Sequence, residues 1–230
     1  MTTERRLRPS RAKPRRPGRP VRAEGDSADL VRQRLVDSAR ALFTRRGFGE
    51  VSLREIAREA GVTPAMIAYY FGDKQGLYMA MLTSVFETLL ARLRELGGES
   101  PASTAPIEGF IRLYVATISS QPWLPALLLR EVIATDSAAR AQFVERFASR
   151  AAALLPALFS TEIESGALRA DLDPKLAVLS LVGICAFPFL AHPIAGKVLG
   201  YELDADFAER LAAHASKLFL DGAKPREATR

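Results

Sequence analysis

The chain has 230 residues, 48% of them hydrophobic and 25% charged, with a formal net charge of +6, which is enough apolar material for a true core and length for one large domain or a small one joined to a larger one. Its single cysteine, Cys185, excludes an internal disulfide and any cysteine metal cluster, and fits a reducing cytoplasm. The N-terminus lacks the apolar run of a secretory signal, and the longest apolar stretch, Leu176 to Ala191, is interrupted by Ser180, Gly183 and Pro188. It falls short of the roughly 20 residues that a spanning helix needs, and reads as a buried helix.

The charge is unevenly placed. Residues 1–25 carry nine Lys/Arg against two Glu, so the rest of the chain is close to neutral. Residues 1–26 form a Pro/Arg-rich arm with no periodicity, for which no packed structure is expected. A basic arm on a near-neutral body suits a polyanionic partner, because neutralised phosphates release counterions.

From there the pattern is helical, with no alternation long enough for a strand; the expected class is all-α. Val31, Leu35, Ala39, Leu42 and Phe43 define a first helix over 28–46, closed by Gly47. Ser52 and Glu55 form a capping box ahead of "SLREIAREA". Thr63 followed by Pro64 starts a third helix as N-cap and first-turn proline. A fourth helix runs from Lys74 to Leu96, and "GGESPASTAP" then separates two halves. Beyond it, one helix follows Thr104, another covers "PALLLREVIAT", and a long one begins at Asp136 with a kink expected at Pro156. Asp173-Pro174 opens an apolar helix over 174–191, and a last helix covers 205–221. The expected organisation is an arm (1–26), a three-helix unit (27–80) with a linking helix (74–96), a larger domain (104–221) and a tail (222–230).

The two short helices joined by "AGVT" make a helix-turn-helix, in which the second helix is offered to the major groove. The segment "ARALFTRRGFGEVSLREIAREAGVTPAMIAYYFGDKQGLYMAML" resembles the DNA-binding domain of the tetracycline-repressor (TetR/AcrR) family. The likeness rests on Ala39, Leu42-Phe43, Gly47-Phe48, Ser52, Ile56-Ala57, Ala60-Gly61-Val62, Ile67, Tyr69-Tyr70-Phe71, Lys74 and Leu77. It implies a homodimeric, all-helical, ligand-responsive transcription regulator, usually a repressor, and carries over only architecture to the C-terminal half.

Within "YYF" a helical wheel gives each ring a different place. With Ile67, the family's buried position, at zero, Phe71 lies at about 40° and belongs to the core, whereas Tyr69 lies at about 200°, facing outward. Tyr69 is expected to meet a thymine methyl or sugar with its ring and a phosphate with its hydroxyl, and Tyr70, on the flank, to meet a phosphate. Ser52 and Thr63 at helix N-termini suit phosphates, as does Lys74, which matches the family's phosphate-binding lysine. Thr63, Pro64, Ala65 and Met66 form the leading turn, where base edges are read. The family often has tyrosine where this chain has Ala68, and Pro64, Ala65, Met66 and Ala68 offer no long hydrogen-bonding side chain. An arginine–guanine fork therefore has little to work with in this helix, and specificity must rest on thymine-methyl contacts, DNA shape, Thr63 or residues elsewhere. Arg19, within Gly18-Arg19-Pro20, resembles the core of a minor-groove AT-hook; it is expected in an A·T minor groove with Arg16 and Arg22 on nearby phosphates.

In the C-terminal half the resemblance implies a ligand-binding and dimerisation domain, with helices 174–191 and 205–221 as the dimer faces. A ligand pocket is expected among Phe110, Tyr114, Trp123, Leu127, Phe143 and Phe147, roofed by Phe187, with Arg130-Glu131 as a polar clamp or a local ion pair. His192 and His214 lack a third ligand, so no metal or other cofactor is expected, and no catalytic set is recognisable. The reading is a cytoplasmic dimeric regulator of a palindromic double-stranded DNA operator, released by an unidentified small molecule; an architectural DNA-bending protein is the alternative.

Overall fold

The computed structural model describes residues 24–97, 105–134 and 136–224. The arm residues Arg16, Arg19 and Arg22 lie outside the described residues. Every regular element among the described residues is helical.

The first half comprises α1 (Glu24–Arg46), α2 (Leu53–Glu59), α3 (Pro64–Phe71) and α4 (Lys74–Leu96). α1 packs on α2 and α4, and α3 packs on both α2 and α4. Leu35, Phe43, Ile56, Ile67 and Leu77 have no or almost no exposed surface and form the small core that fixes α3. The turn between α2 and α3 needs Gly61, whose φ of +65° is costly for any residue with a Cβ. Val62 donates its N–H to Ala57 O and packs half-buried against the core, wedging the two helices apart.

The second half holds α5 (Ala105–Ser120), α6 (Leu124–Leu128), α7 (Ala138–Phe143), α8 (Ser149–Glu164), α9 (Pro174–Leu199) and α10 (Phe207–Ala223). α5 lies at its centre, against α4, α9 and α10, while α8 packs on α9 and α4. One hydrophobic core runs unbroken through both halves by way of α4, from Leu77 and Leu82 to Leu90 and Leu93.

Four departures from the periodicity matter. Two single π-helical turns, Leu129–Ile133 after α6 and Val144–Ala148 between α7 and α8, divide what the spacing suggested were plain α-helices. α8 then continues to Glu164 with Pro156 inside it. α9 does not end at residue 191 but accommodates Pro188 and Pro193 and reaches Leu199, where Gly200 (φ +71°) stops it. α10 likewise begins at Phe207 and passes Gly222 to end at Ala223. At 26 residues α9 is long and apolar enough to cross a membrane, contrary to the estimate from its interrupted sequence. In the fold, its stripe of Ala177, Leu181, Cys185 and Phe189 is buried in the helical bundle.

Candidate DNA interface and effector cavity

On α3, Ile67 is fully buried while Tyr69 is 82% exposed, so opposite faces of the helix have opposite environments. Thr63, Pro64, Ala65 and Ala68 are exposed as well. The Tyr69 ring packs edge-on against Tyr70, with centroids 4.9 Å apart, which holds it upright without burying it. Tyr70 is half-buried.

Three expectations on this helix are corrected. Phe71 is half-buried rather than enclosed, because at the end of α3 its ring is covered by the Arg32 guanidinium of α1, 5.4 Å from the centroid. Met66 is half-buried and packs on the core, which removes much of its side chain from the reading face. Thr63 occupies the N-cap position but makes no side-chain cap, since its own carbonyl takes the Met66 N–H at 3.0 Å.

Ser52 is a cap in the full sense. Its N–H and hydroxyl both donate to Glu55 Oε2 at 2.8 Å, and its oxygen accepts the Glu55 N–H. Arg46 donates to the other carboxylate oxygen at 2.7 Å. That hydrogen bond, followed by those from Ser52, lowers the Glu55 pKa to about 2. A carboxylate therefore already occupies the mouth of α2, and a phosphate at Ser52 would have to displace it.

α4 begins beside the reading helix. Asp73 caps it by accepting the Gly76 N–H at 2.7 Å. A Cβ built on Gly76 would lie 2.0 Å from Phe71 O, so the absence of a side chain there sets how closely α4 abuts the end of α3. Lys74, in the first turn, is half-buried with its ammonium 4.4 Å from the centroid of Phe48. Burial lowers its pKa, and the carboxylates of Glu131, Glu55 and Glu50 act in the opposite direction.

The Arg130-Glu131 pair is a contact between the two halves of the chain and not a wall of the cavity. Arg130 Nη2 donates to Phe43 O at 2.8 Å, the Phe48 N–H donates to Glu131 Oε1 at 3.0 Å, and Arg130 Nε bridges to the same oxygen at 2.8 Å. The first π-helical turn thus clasps the main chain at the end of α1. Gly47 at the centre of this clasp has φ +92°, and a Cβ there would meet both side chains at 3.3 Å. Neither clasp bond is visible in the sequence, because the partners lie more than 80 residues apart.

Deeper in the second half is a cavity of about 270 Å³, bounded by α4, α5, the α7–α8 segment and α9. Phe110, Tyr114, Phe143 and Phe147 line it as expected from their aromatic spacing, and Phe86 of α4 completes the wall, stacked on Phe147 at 5.2 Å. The other expected residues do not line it. Leu127 is enclosed in the core, Trp123 is half-buried with its indole N–H donated to Gln121, and Phe187 points out of the fold at 66% exposure. Phe86 could have been found from its place on α4 between Leu82 and Leu89, but nothing local shows that α4 forms a wall. The Glu87 carboxylate and the Arg150 guanidinium, each next in sequence to a lining residue, pair through two hydrogen bonds, one of them 2.8 Å, tying α4 to α8. Among the described residues no group of three or more metal-ligating side chains occurs.

Residues 35–81, which hold the reading helix and its supports, match the family model described as bacterial regulatory proteins, tetR family. Residues 104–222, half of the chain, match the C-terminal domain of the HTH-type transcriptional dual regulator CecR. This chain belongs to the tetR family. It is a DNA-binding transcriptional regulator, and tetR-family proteins act on DNA operators, dimerise and bind small-molecule effectors. Among its relatives, the regulator RutR of Escherichia coli is 26% identical over 84% of this chain and 90% of its own length. BetI 2 of Chromohalobacter salexigens is 36% identical over 41% of this chain, which spans about half (49%) of that relative. Of solved tetR-type structures, the ketosteroid regulator KstR2 of Mycobacterium tuberculosis superposes with a TM-score of 0.68 at 19% identity, over 85% of this chain and 95% of that one. The fatty acid degradation regulator FadR of Bacillus halodurans gives 0.67 at 18% identity, over 85% and 97%. At these identities the structures bear on the fold: an N-terminal helix-turn-helix followed by a helical domain, as here.

Proposed function

We propose that this protein is a homodimeric repressor that grips a palindromic operator with two copies of α3 and releases it when a small molecule enters the cavity. The observation that carries the proposal is Tyr69, a large aromatic left 82% exposed on the face of the reading helix directly opposite buried Ile67. Monomeric packing has no use for it there, whereas a groove supplies thymine methyls, sugars and phosphates. Thr63, with a hydroxyl not used in capping, and exposed Pro64 and Ala65 extend the same surface. Tyr70 and Lys74 flank it toward the phosphates. Arg32 of α1 brings a further cation to the end of α3, and the basic arm, which precedes α1 in the chain, would place Arg16, Arg19 and Arg22 on phosphates or in the minor groove.

The dimer faces are α9 and α10. Leu176, Leu179, Phe187, Ile194 and Val198 are each more than 60% exposed and recur at helical spacing on one side of α9, opposite its buried stripe. Such a stripe, joined by Leu218 of α10, is the self-complementary surface that a two-fold interface needs. As a regulator of DNA in a bacterium-type family, the protein works in the cytoplasm.

Release follows from two connections between cavity and reading helix. α4 carries Phe86 in the cavity wall and Gly76 against the end of α3. The Arg130-Glu131 clasp connects the segment leading to Phe143 and Phe147 with the turn after α1. A shift of either changes the separation of the paired α3 helices, which must match half-sites about 34–36 Å apart or a multiple of that. Footprinting on the DNA flanking the protein's own gene tests the proposal. Two protected half-sites related by a dyad, with centres at that spacing, are expected; uniform or absent protection would remove it.

A further inference from the structure

The cavity is unusual in what its wall leaves out. Fourteen residues line it, and none is charged or carries an amide; Tyr114 alone brings a hydrogen-bonding side chain. The Tyr114 hydroxyl makes no hydrogen bond to another described residue, although its ring stacks on Phe110 with centroids 5.5 Å apart. Burial, with a smaller effect from the Cys185 thiol, pushes its pKa up to about 12, so it stays a neutral donor at any physiological pH. Tyr114 is half-buried on the cavity wall, where a bound molecule can accept from its hydroxyl.

Resting on the reading of this chain as a ligand-released regulator, we infer that its effector is an uncharged molecule with a hydrocarbon body and one oxygen acceptor, seated on the Tyr114 hydroxyl. Three observations converge on this class. A carboxylate or ammonium in the cavity would lose its hydration and find no opposite charge or backbone of dipoles in return. Glu87 and Arg150, adjacent in sequence to the lining residues Phe86 and Ala151, are paired with each other. The volume of about 270 Å³ lies just under the roughly 300–1,000 Å³ usual for small-molecule sites, which suits a compact apolar body. Its entry would part the stack of Phe86 on Phe147, which joins α4 to the second π-helical turn and thereby to both release routes.

Matched probes separate the classes. The full chain would be titrated calorimetrically with decan-2-one, decan-1-ol and cyclododecanone, and with decanoate at equal concentration and pH 7.5. At least one neutral probe should bind saturably and at least tenfold more tightly than decanoate. Tyr114→Phe should weaken that probe about threefold to tenfold, the range for one hydrogen bond. Ala152→Phe, which places a ring in the space lined by that residue, should abolish probe binding, with circular dichroism verifying the fold. Decanoate binding as tightly as the neutral probes would overturn the inference, as would no saturable binding by any of them. So would neutral binding that is indifferent to Tyr114→Phe. Operator affinity measured without probe keeps the two readings apart. A chain that binds its operator but no neutral probe loses the effector class and remains a regulator; one that binds a probe but no DNA does the reverse.

Discussion

Tyr69 and Glu162 show how one side chain can be read against its surroundings. Tyr69 is an apolar ring placed in water, and its place was legible in the sequence because Ile67, two residues earlier, had to face the core. Glu162 is the opposite case, a carboxyl on α8 that is 1% exposed with Oε2 lacking a partner. Burial raises its pKa above 4.5, so the folded chain holds that proton more tightly than the unfolded one. The sign follows: Glu162 costs nothing at a pH where it is protonated in both states, and stability falls as pH rises from about 4.5 through the raised value. Glu162→Gln should therefore raise the urea midpoint at pH 7.5 relative to the parent chain, with the advantage gone by pH 4. An equal difference at both pH values would contradict this. Phe71 and Met66 were less legible than Tyr69, since their cover comes from Arg32 of α1 and from the shared core, and the helical wheel carries no information about neighbouring helices.

At the scale of elements, the reading helix is held by what abuts its two ends. Thr63 and Pro64 begin it, and Gly72 at φ +79° ends it. Gly76 then lets α4 start in contact with the Phe71 carbonyl. Gly76→Ala places a methyl 2.0 Å from that oxygen, which is main chain and cannot rotate away. The substitution should favour the isolated α4, where alanine is the better helix former by about 1 kcal/mol, yet reduce operator affinity at least tenfold and lower the melting temperature. Retained affinity with a raised melting temperature would show that the α3–α4 junction has slack. Helix order was legible because apolar spacing and caps repeat along the chain. The π-helical turns were not, since each inserts one extra residue per turn and changes which faces follow it. Phe143 and Phe147 face the cavity, while Arg130, expected with Glu131 as a ligand clamp or a local ion pair, bonds Glu131 and clasps the end of α1. Phe187 failed for another reason: on α9 both stripes are apolar, and periodicity alone does not say which one the monomer buries.

For the whole molecule, one continuous core joins the halves, so the cavity and the reading helix belong to a single mechanical body with α4 as its spine. In the proposed dimer the exposed stripe on α9 would double that body about a two-fold axis, and doubling would turn a short reading face without arginine forks into a specific one, because both half-sites must fit at a fixed spacing. Its central requirement is that α3 reads DNA through Tyr69. The direct measurement is selection of duplexes from a random pool by the full chain and, in parallel, by Tyr69→Ala, with circular dichroism and sedimentation to verify fold and assembly. The full chain should enrich an inverted repeat with half-sites about one helical turn apart. Tyr69→Ala, equally folded and equally dimeric, should bind that repeat at least tenfold more weakly. Equal affinity of the two proteins for the selected repeat would contradict the account.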